Sequence, residues 1–278
     1  MSDAISNLLS QISLGQAQAI ERAADEATQA ITTFGVLPLP DTFHVHDLEK
    51  YMPSRRRMTG TMFTSSADSF ASYIKAHHEE GSSTVFVHDN KLSATAVLNL
   101  GNNTEPGHCD NQAQLDLIHT AAYTALLTIN GKPLAQRDAA EFLEDWSDHL
   151  AFFQGGTPLQ PSQAISAVRR LNIEAVRKLE SVSESLSEST SAFEQVTASS
   201  KEPLPDFLYF TCPPTEDLAE RTFVLRLHVV TGDKLHVCLR IQRLQSHQEE
   251  MALELSNRIT QALDGQPVAV VRGQFKKG

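Results

Sequence analysis

TVFVHDNKLSATAVLNL, residues 84 to 100, decides how the rest of the chain is read. Thr84 to His88 is a continuous β-branched and aromatic run, Asp89, Asn90 and Lys91 supply a turn, and Leu92 to Leu100 returns as a second run. Runs of this kind separated by a short polar turn predict a β-hairpin. On its N-terminal side, Phe70, Tyr73, Ile74 and His77 recur at intervals of three and four, which puts them on one face of a helix capped by Ser66 or Asp68 and stopped at Glu79, Glu80 and Gly81. On its other side, a polar loop from Gly101 to Gln112 precedes an alternating strand, Gln114 to His119. Ala121 to Ile129 and Asp138 to Leu150 then read as helices, the second with Phe142, Leu143 and Trp146 inward, separated by Asn130, Gly131 and Pro133. The expectation is a one-sided sheet whose apolar face these two helices cover.

The pattern recurs further along the chain. After Gly155, Gly156, Pro158 and Pro161, residues Ala164 to Leu186 read as a helix that passes into a Ser- and Glu-rich stretch from Ser181 to Ser200. Asp206 to Cys212, Thr222 to Val230 and Lys234 to Leu244 read as strands, the last two joined by the turn residues Thr231, Gly232 and Asp233. Gln248 to Leu263 is an amphipathic helix closed by Gly265, and Val268 to Val271 a last short strand. At the N-terminus, Ile5, Leu8, Leu9 and Ile12 begin a narrow apolar stripe that continues to Ile31, suited to its own domain or to a neighbouring subunit. The predicted fold is α+β: mainly antiparallel β-hairpin sheets covered by helices, in two lobes. Its parts are an N-terminal helical segment (1–36), an N-terminal lobe (37–158), a helix and linker (159–200) and a C-terminal lobe (201–278).

Composition narrows the function classes. A chain of 278 residues that is 41% hydrophobic and 21% charged has an ordinary globular balance and enough length to bury a core without staples. Three widely spaced cysteines, Cys109, Cys212 and Cys238, fit a reducing compartment rather than a disulfide framework. No apolar run approaches the roughly 20 residues that span a bilayer, and Met1 to Leu9 has neither a basic start nor a signal core, so the expectation is a cytoplasmic protein without membrane contact. The net charge of −11 argues against a globally basic nucleic-acid surface. It leaves room for a local one.

Few residues form constellations that carry chemistry. Arg55, Arg56 and Arg57 are a basic cluster in an acidic chain, and guanidinium forks match phosphate oxygens, although ion pairs with nearby carboxylates use arginine equally well. Eight of the eleven histidines lie between His44 and His149. His44 and His46 share a side of a possible strand, and Gly107, His108, Cys109 and Asp110 offer several ligand types, but adjacent residues rarely hold one ion together. Caps and polar rims account for the histidines better than a metal. Glu141 and Glu144 form a carboxylate pair that the outer face of an amphipathic helix also explains. No Gly-x-Ser-x-Gly elbow, phosphate-cradling glycine loop or Cys-x-x-Cys pair occurs, so neither catalytic residues nor a cofactor are assigned.

The order of features does resemble a known family. Leu48, Glu49, the Pro53 to Arg57 turn, Gly60, Phe70, Tyr73, the Phe86 to Val97 hairpin, Gln136, Phe142, Leu143 and Glu144 together look like the YfdQ-like family of phage and prophage proteins. Leu204 to Phe207 and the Phe223 to Arg243 hairpin are similar to it too. The resemblance implies an accessory protein of a bacteriophage or prophage, encoded near replication and recombination genes and acting in the cytoplasm of the bacterial host. It carries no catalytic residue onto this chain.

Three expectations follow. The favoured one is a non-enzymatic accessory protein that self-associates as a homo-oligomer through the Ile5, Leu8, Leu9 and Ile12 stripe. It would bind a host or phage protein or other macromolecule, with counter-defence one such task. The second is a single-stranded nucleic-acid binding or annealing protein using Arg55, Arg56 and Arg57. The third is a metal-dependent hydrolase using histidines such as His44, His46 and His108 with Glu141 or Glu144.

Overall fold

The computed structural model describes residues 49–171, 203–230 and 235–276, together with scattered helical positions between 15 and 29. The chain divides into two compact units, 1–57 and 58–278. In the first, Glu49–Tyr51 forms a 3-10 turn. The second is α+β, with two sheets.

The first sheet has five strands in the order β1-β4-β3-β2-β11, formed by β1 (Gly60–Thr64), β2 (Thr84–Val87), β3 (Ser93–Val97), β4 (Asn111–Asp116) and β11 (Ala269–Arg272). The hairpin that the sequence predicts is its centre: β2 and β3 pair antiparallel, with Phe86 opposite Thr95. Its inner positions, Val85, Val87, Ala94, Ala96, Ala113 and Leu115, are buried, and the three alanines are small enough to let a helix approach. Helix α1 (Ala67–His77) packs there through Phe70, Ala71 and Ile74. Ser66 caps it by accepting from the Ser69 amide, and the His78 imidazole Nδ1 donates to the carbonyls of Ile74 and Lys75 at its far end.

The second sheet is antiparallel throughout and has six strands in the order β5-β10-β9-β8-β6-β7. These are β5 (Pro133–Ala135), β6 (Leu150–Gln154), β7 (Thr157–Leu159), β8 (Phe207–Cys212), β9 (Arg221–Val230) and β10 (His236–Ile241). Helices α2 (Ala121–Ile129), α3 (Gln136–Asp145) and α4 (Pro161–Arg169) accompany it, and α5 (Leu244–Ala262) returns the chain to α1 and the first sheet.

Several expectations are corrected by this arrangement. Helices α2 and α3 do not cover the hairpin sheet. Tyr123 of α2 stacks on Phe223 of β9 at 5.2 Å, and Phe142 of α3 stacks on Phe210 of β8 at 6.3 Å, so the aromatic inner face of the second sheet claims both helices. The helix expected to reach Leu150 ends at Asp145, because Leu150 to Phe153 pair with β8 as strand β6. The third strand starts at Asn111 rather than Gln114: the Asn99 Oδ1 accepts from the amides of Asp110 and Asn111 and fixes the strand's entry. The last strand, expected at Val268 to Val271, lies at Ala269–Arg272 and pairs parallel to β2, a long-range contact that no local pattern carries. Chain on both sides of 172–202 therefore contributes to each sheet. The Ser- and Glu-rich stretch and the greater part of the helix expected at 164–186 lie outside the described residues.

Candidate ligand-binding face

Strand β9 reads Arg-Thr-Phe-Val-Leu-Arg-Leu-His-Val-Val from 221 to 230, and its period of two sorts the side chains onto opposite faces. Phe223, Leu225, Leu227 and Val229 are buried inward, while Thr222, Val224, Arg226 and His228 face out. The neighbours follow the same alternation. Leu208, Phe210 and Cys212 of β8 and Val237, Leu239 and Ile241 of β10 are buried, which leaves Phe207, Tyr209 and Thr211, and His236, Cys238 and Arg240, on the outer face. Phe153 of β6 joins them, its ring 4.7 Å from that of Tyr209, and Tyr209 is 40% exposed.

Register assembles a row from these positions. Phe153 pairs with Phe207, Phe207 with Arg226 and Arg226 with Arg240, so two aromatics and two guanidinium groups stand side by side on four adjacent strands. Strand spacing of about 4.8 Å puts Arg226 one step and Arg240 two steps from Phe207. Tyr209 lies on the same strand and face as Phe207, roughly 7 Å along it.

The electrostatics of this face differ from those of the chain as a whole. The protein has 34 Asp and Glu against 23 Lys and Arg. Yet none of the six strands contains an acidic residue. Among the described residues no carboxylate pairs with Arg226 or Arg240. The nearby Asp206 is engaged by backbone, since its carboxylate accepts from the amides of Gly155 (3.0 Å) and Phe207 (2.9 Å). Burial, followed by the charges of Arg226 and Arg240, lowers the pKa of His228 from the ordinary imidazole value. Burial also pushes the Cys238 thiol up. The face thus combines flat aromatic surface with positive charge that no carboxylate among the described residues pairs with.

Several other arginines of the second unit are neutralised. Arg221 pairs with Glu254 and, at 3.6 Å, with Glu250, while Arg258 bridges Asp68 at 3.1 Å and Asp217 at 3.2 Å. These pairs line a groove of about 650 Å³ between α5 and the 216–219 loop. Asp217, Glu250 and Glu254 of this groove are partnered, and the Arg258–Asp68 pair ties α5 to α1.

Within the second unit, the described residues singled out from sequence have separate local partners. Arg55, Arg56 and Arg57 are exposed in the first unit, where the Arg56 amide donates to Glu49 Oε1 at 3.0 Å. His44, His46, Ile5, Leu8, Leu9 and Ile12 lie outside the described residues. His108 sits in a loop bound to Asn99, whose Nδ2 donates to Asp110 and whose carbonyl accepts from the Cys109 amide. Glu141 pairs with Arg137 and Glu144 with Arg169, each at 2.6 Å. Other histidines pack or cap: His77 lies against Tyr73, and His149 lies on Phe210 and donates from Nδ1 to the Thr211 carbonyl. Among the described residues no group of three or more His, Cys, Asp or Glu is placed to hold an ion, and no helix is long and apolar enough to cross a membrane.

Comparison with known proteins yields a family match. A family model described as "Uncharacterized conserved protein (DUF2303)" matches residues 8–275. No curated protein and no solved structure matches the chain.

Proposed function

Since the chain belongs to that conserved family, whose model covers nearly its full length, we propose that it is a non-catalytic accessory protein of a bacteriophage or prophage. It acts by binding a macromolecule on the outer face of its six-stranded sheet. The phage assignment, and the YfdQ-like relationship within it, is supported by the order of features from Leu48 to Arg243 described above. The binding reading is carried by one observation: Arg226 and Arg240 stand opposite each other on a strand face that holds no carboxylate, in a chain of net charge −11. Like charges directly opposite on a sheet destabilise it, and an anionic ligand removes that cost. The protein works as a homo-oligomer in the bacterial cytoplasm, and blunting a host defence is one setting for such binding.

The test compares the parent with an Arg226→Ser, Arg240→Ser variant, each tagged and recovered from a bacterial host. The reading expects a macromolecule that the parent retains and the variant loses. Equal retention by both contradicts it. Light scattering on the full chain should give a mass that is a multiple of 30.6 kDa, and a particle of one chain contradicts self-association.

A further inference from the structure

We infer that the ligand of this face is single-stranded nucleic acid, with bases stacked on Phe153, Phe207 and Tyr209 and the sugar-phosphate strand passing over Arg226 and Arg240. The inference rests on the binding reading above and adds the chemical class of the partner. Proteins that hold single strands without sequence readout pair aromatic side chains, on which bases stack, with a basic track for the backbone. Both components occur here on adjacent strands of one sheet: the Phe153 and Tyr209 rings lie 4.7 Å apart, and Phe207 is in register with Arg226 and Arg240.

The two components select among anionic partners. An acidic peptide satisfies the arginines but has no use for a row of aromatic faces. A duplex keeps its bases stacked on each other, so its π-faces are closed to Phe207 and Tyr209. An unpaired strand offers both groups at once. Arginine suits the site better than lysine, because its planar fork both stacks and donates to phosphate oxygens in pairs. The site uses none of the sequence's obvious basic run, Arg55 to Arg57, which belongs to the other compact unit. With two arginines and no carboxylate on the strands beside them, the binding is modest in affinity and sensitive to salt.

The probe is a fluorescein-labelled deoxythymidine 20-mer, titrated with full-length protein freed of nucleic acid at high salt and read by fluorescence anisotropy in 50 mM salt. The parent is expected to bind it and to bind a duplex of the same length at least tenfold more weakly. Tyr209→Ser and the Arg226→Ser, Arg240→Ser pair should each weaken binding at least tenfold, with thermal melts confirming that both variants are folded. An Arg55→Ala, Arg56→Ala, Arg57→Ala variant should stay within threefold of the parent. The inference is overturned if the parent does not bind the 20-mer, if polyglutamate competes as well as unlabelled strand, or if only the Arg55 to Arg57 variant loses binding. Should the 20-mer fail while the parent still retains, and the Arg226, Arg240 variant still loses, a nuclease-resistant partner from the host, the ligand class is wrong and the binding reading stands.

Discussion

Arg226 of β9 and Arg240 of β10 are register partners on the outer face of the six-stranded sheet, with no carboxylate among the residues of any strand beside them. A face serving only as a wall of the fold would gain from an acid at either position. Arg240→Glu converts the pair into opposite charges and should raise stability by roughly 0.2 to 1 kcal/mol. The same change should weaken binding of the labelled 20-mer. Thermal melting beside anisotropy checks both, and a variant that binds normally would separate the arginine pair from ligand binding.

The salt dependence of binding reports how many phosphates are neutralised. For single strands, the slope of log K against log salt changes by about 0.7 for each phosphate contact. Arg226→Ser should therefore make the slope shallower by about that amount, whereas Tyr209→Ser should reduce affinity at all salt concentrations with little change in slope. Titrations at four salt concentrations distinguish the two contributions.

His119, His228 and His247 all have pKa values lowered from 6.5, with burial the largest cause in each. A histidine with a depressed folded value binds its proton more readily in the unfolded chain. Stability is then fully present above the unfolded pKa and is lost as pH falls below about 6.5 toward the folded values. The melting temperature should fall between pH 7 and pH 5.5, and His247→Gln should flatten that dependence. A melting temperature unchanged across this range would contradict the partial desolvation of these rings.

Gly107 lies where the 99–111 connection folds tightly on itself: its amide donates to the Leu100 carbonyl at 2.9 Å, and a Cβ at this position would overlap the Asn99 carbonyl. Because the obstructing atoms are backbone, they cannot rotate away. Gly107→Ala should cost about 1 to 3 kcal/mol and lower the urea midpoint without changing the denaturant slope. Gly131→Ala meets open space but forces a positive φ of 70° on a side chain, so its cost comes from backbone conformation alone.

Much of the architecture was legible because it is local. The 84 to 100 hairpin, the Phe70 and Ile74 face of α1 and the three strands between Asp206 and Leu244 follow from periods of two or 3.6 and from turn residues. What sequence did not reveal is which sheet each element joins. The parallel pairing of β11 with β2 is a backbone ladder between distant segments, and the choice of α2 and α3 for the second sheet is set by aromatic packing on β9 and β8. The arginine row stayed hidden for a similar reason: Arg226 and Arg240 meet only through register. The turn residues Thr231, Gly232 and Asp233 signal the hairpin in the sequence, and the pairing of His236 with Val230 sets the register that puts those two positions opposite each other. The lack of any acid between Phe207 and Cys212, or from Arg221 to Val230, was the second available signal. The Arg55 to Arg57 run drew attention because its residues are consecutive, which says nothing of what surrounds them.

The central claim is that bases lie on the outer face of the six-stranded sheet, and a photochemical cross-link reads their position most directly. A deoxythymidine 20-mer carrying 5-iododeoxyuridine is irradiated in complex with the full chain, and the adducts are located by mass spectrometry. The account predicts adducts on Phe153, Phe207 or Tyr209 that disappear with excess unlabelled strand. Adducts confined to residues 1–57, or to the groove beside α5, would contradict it.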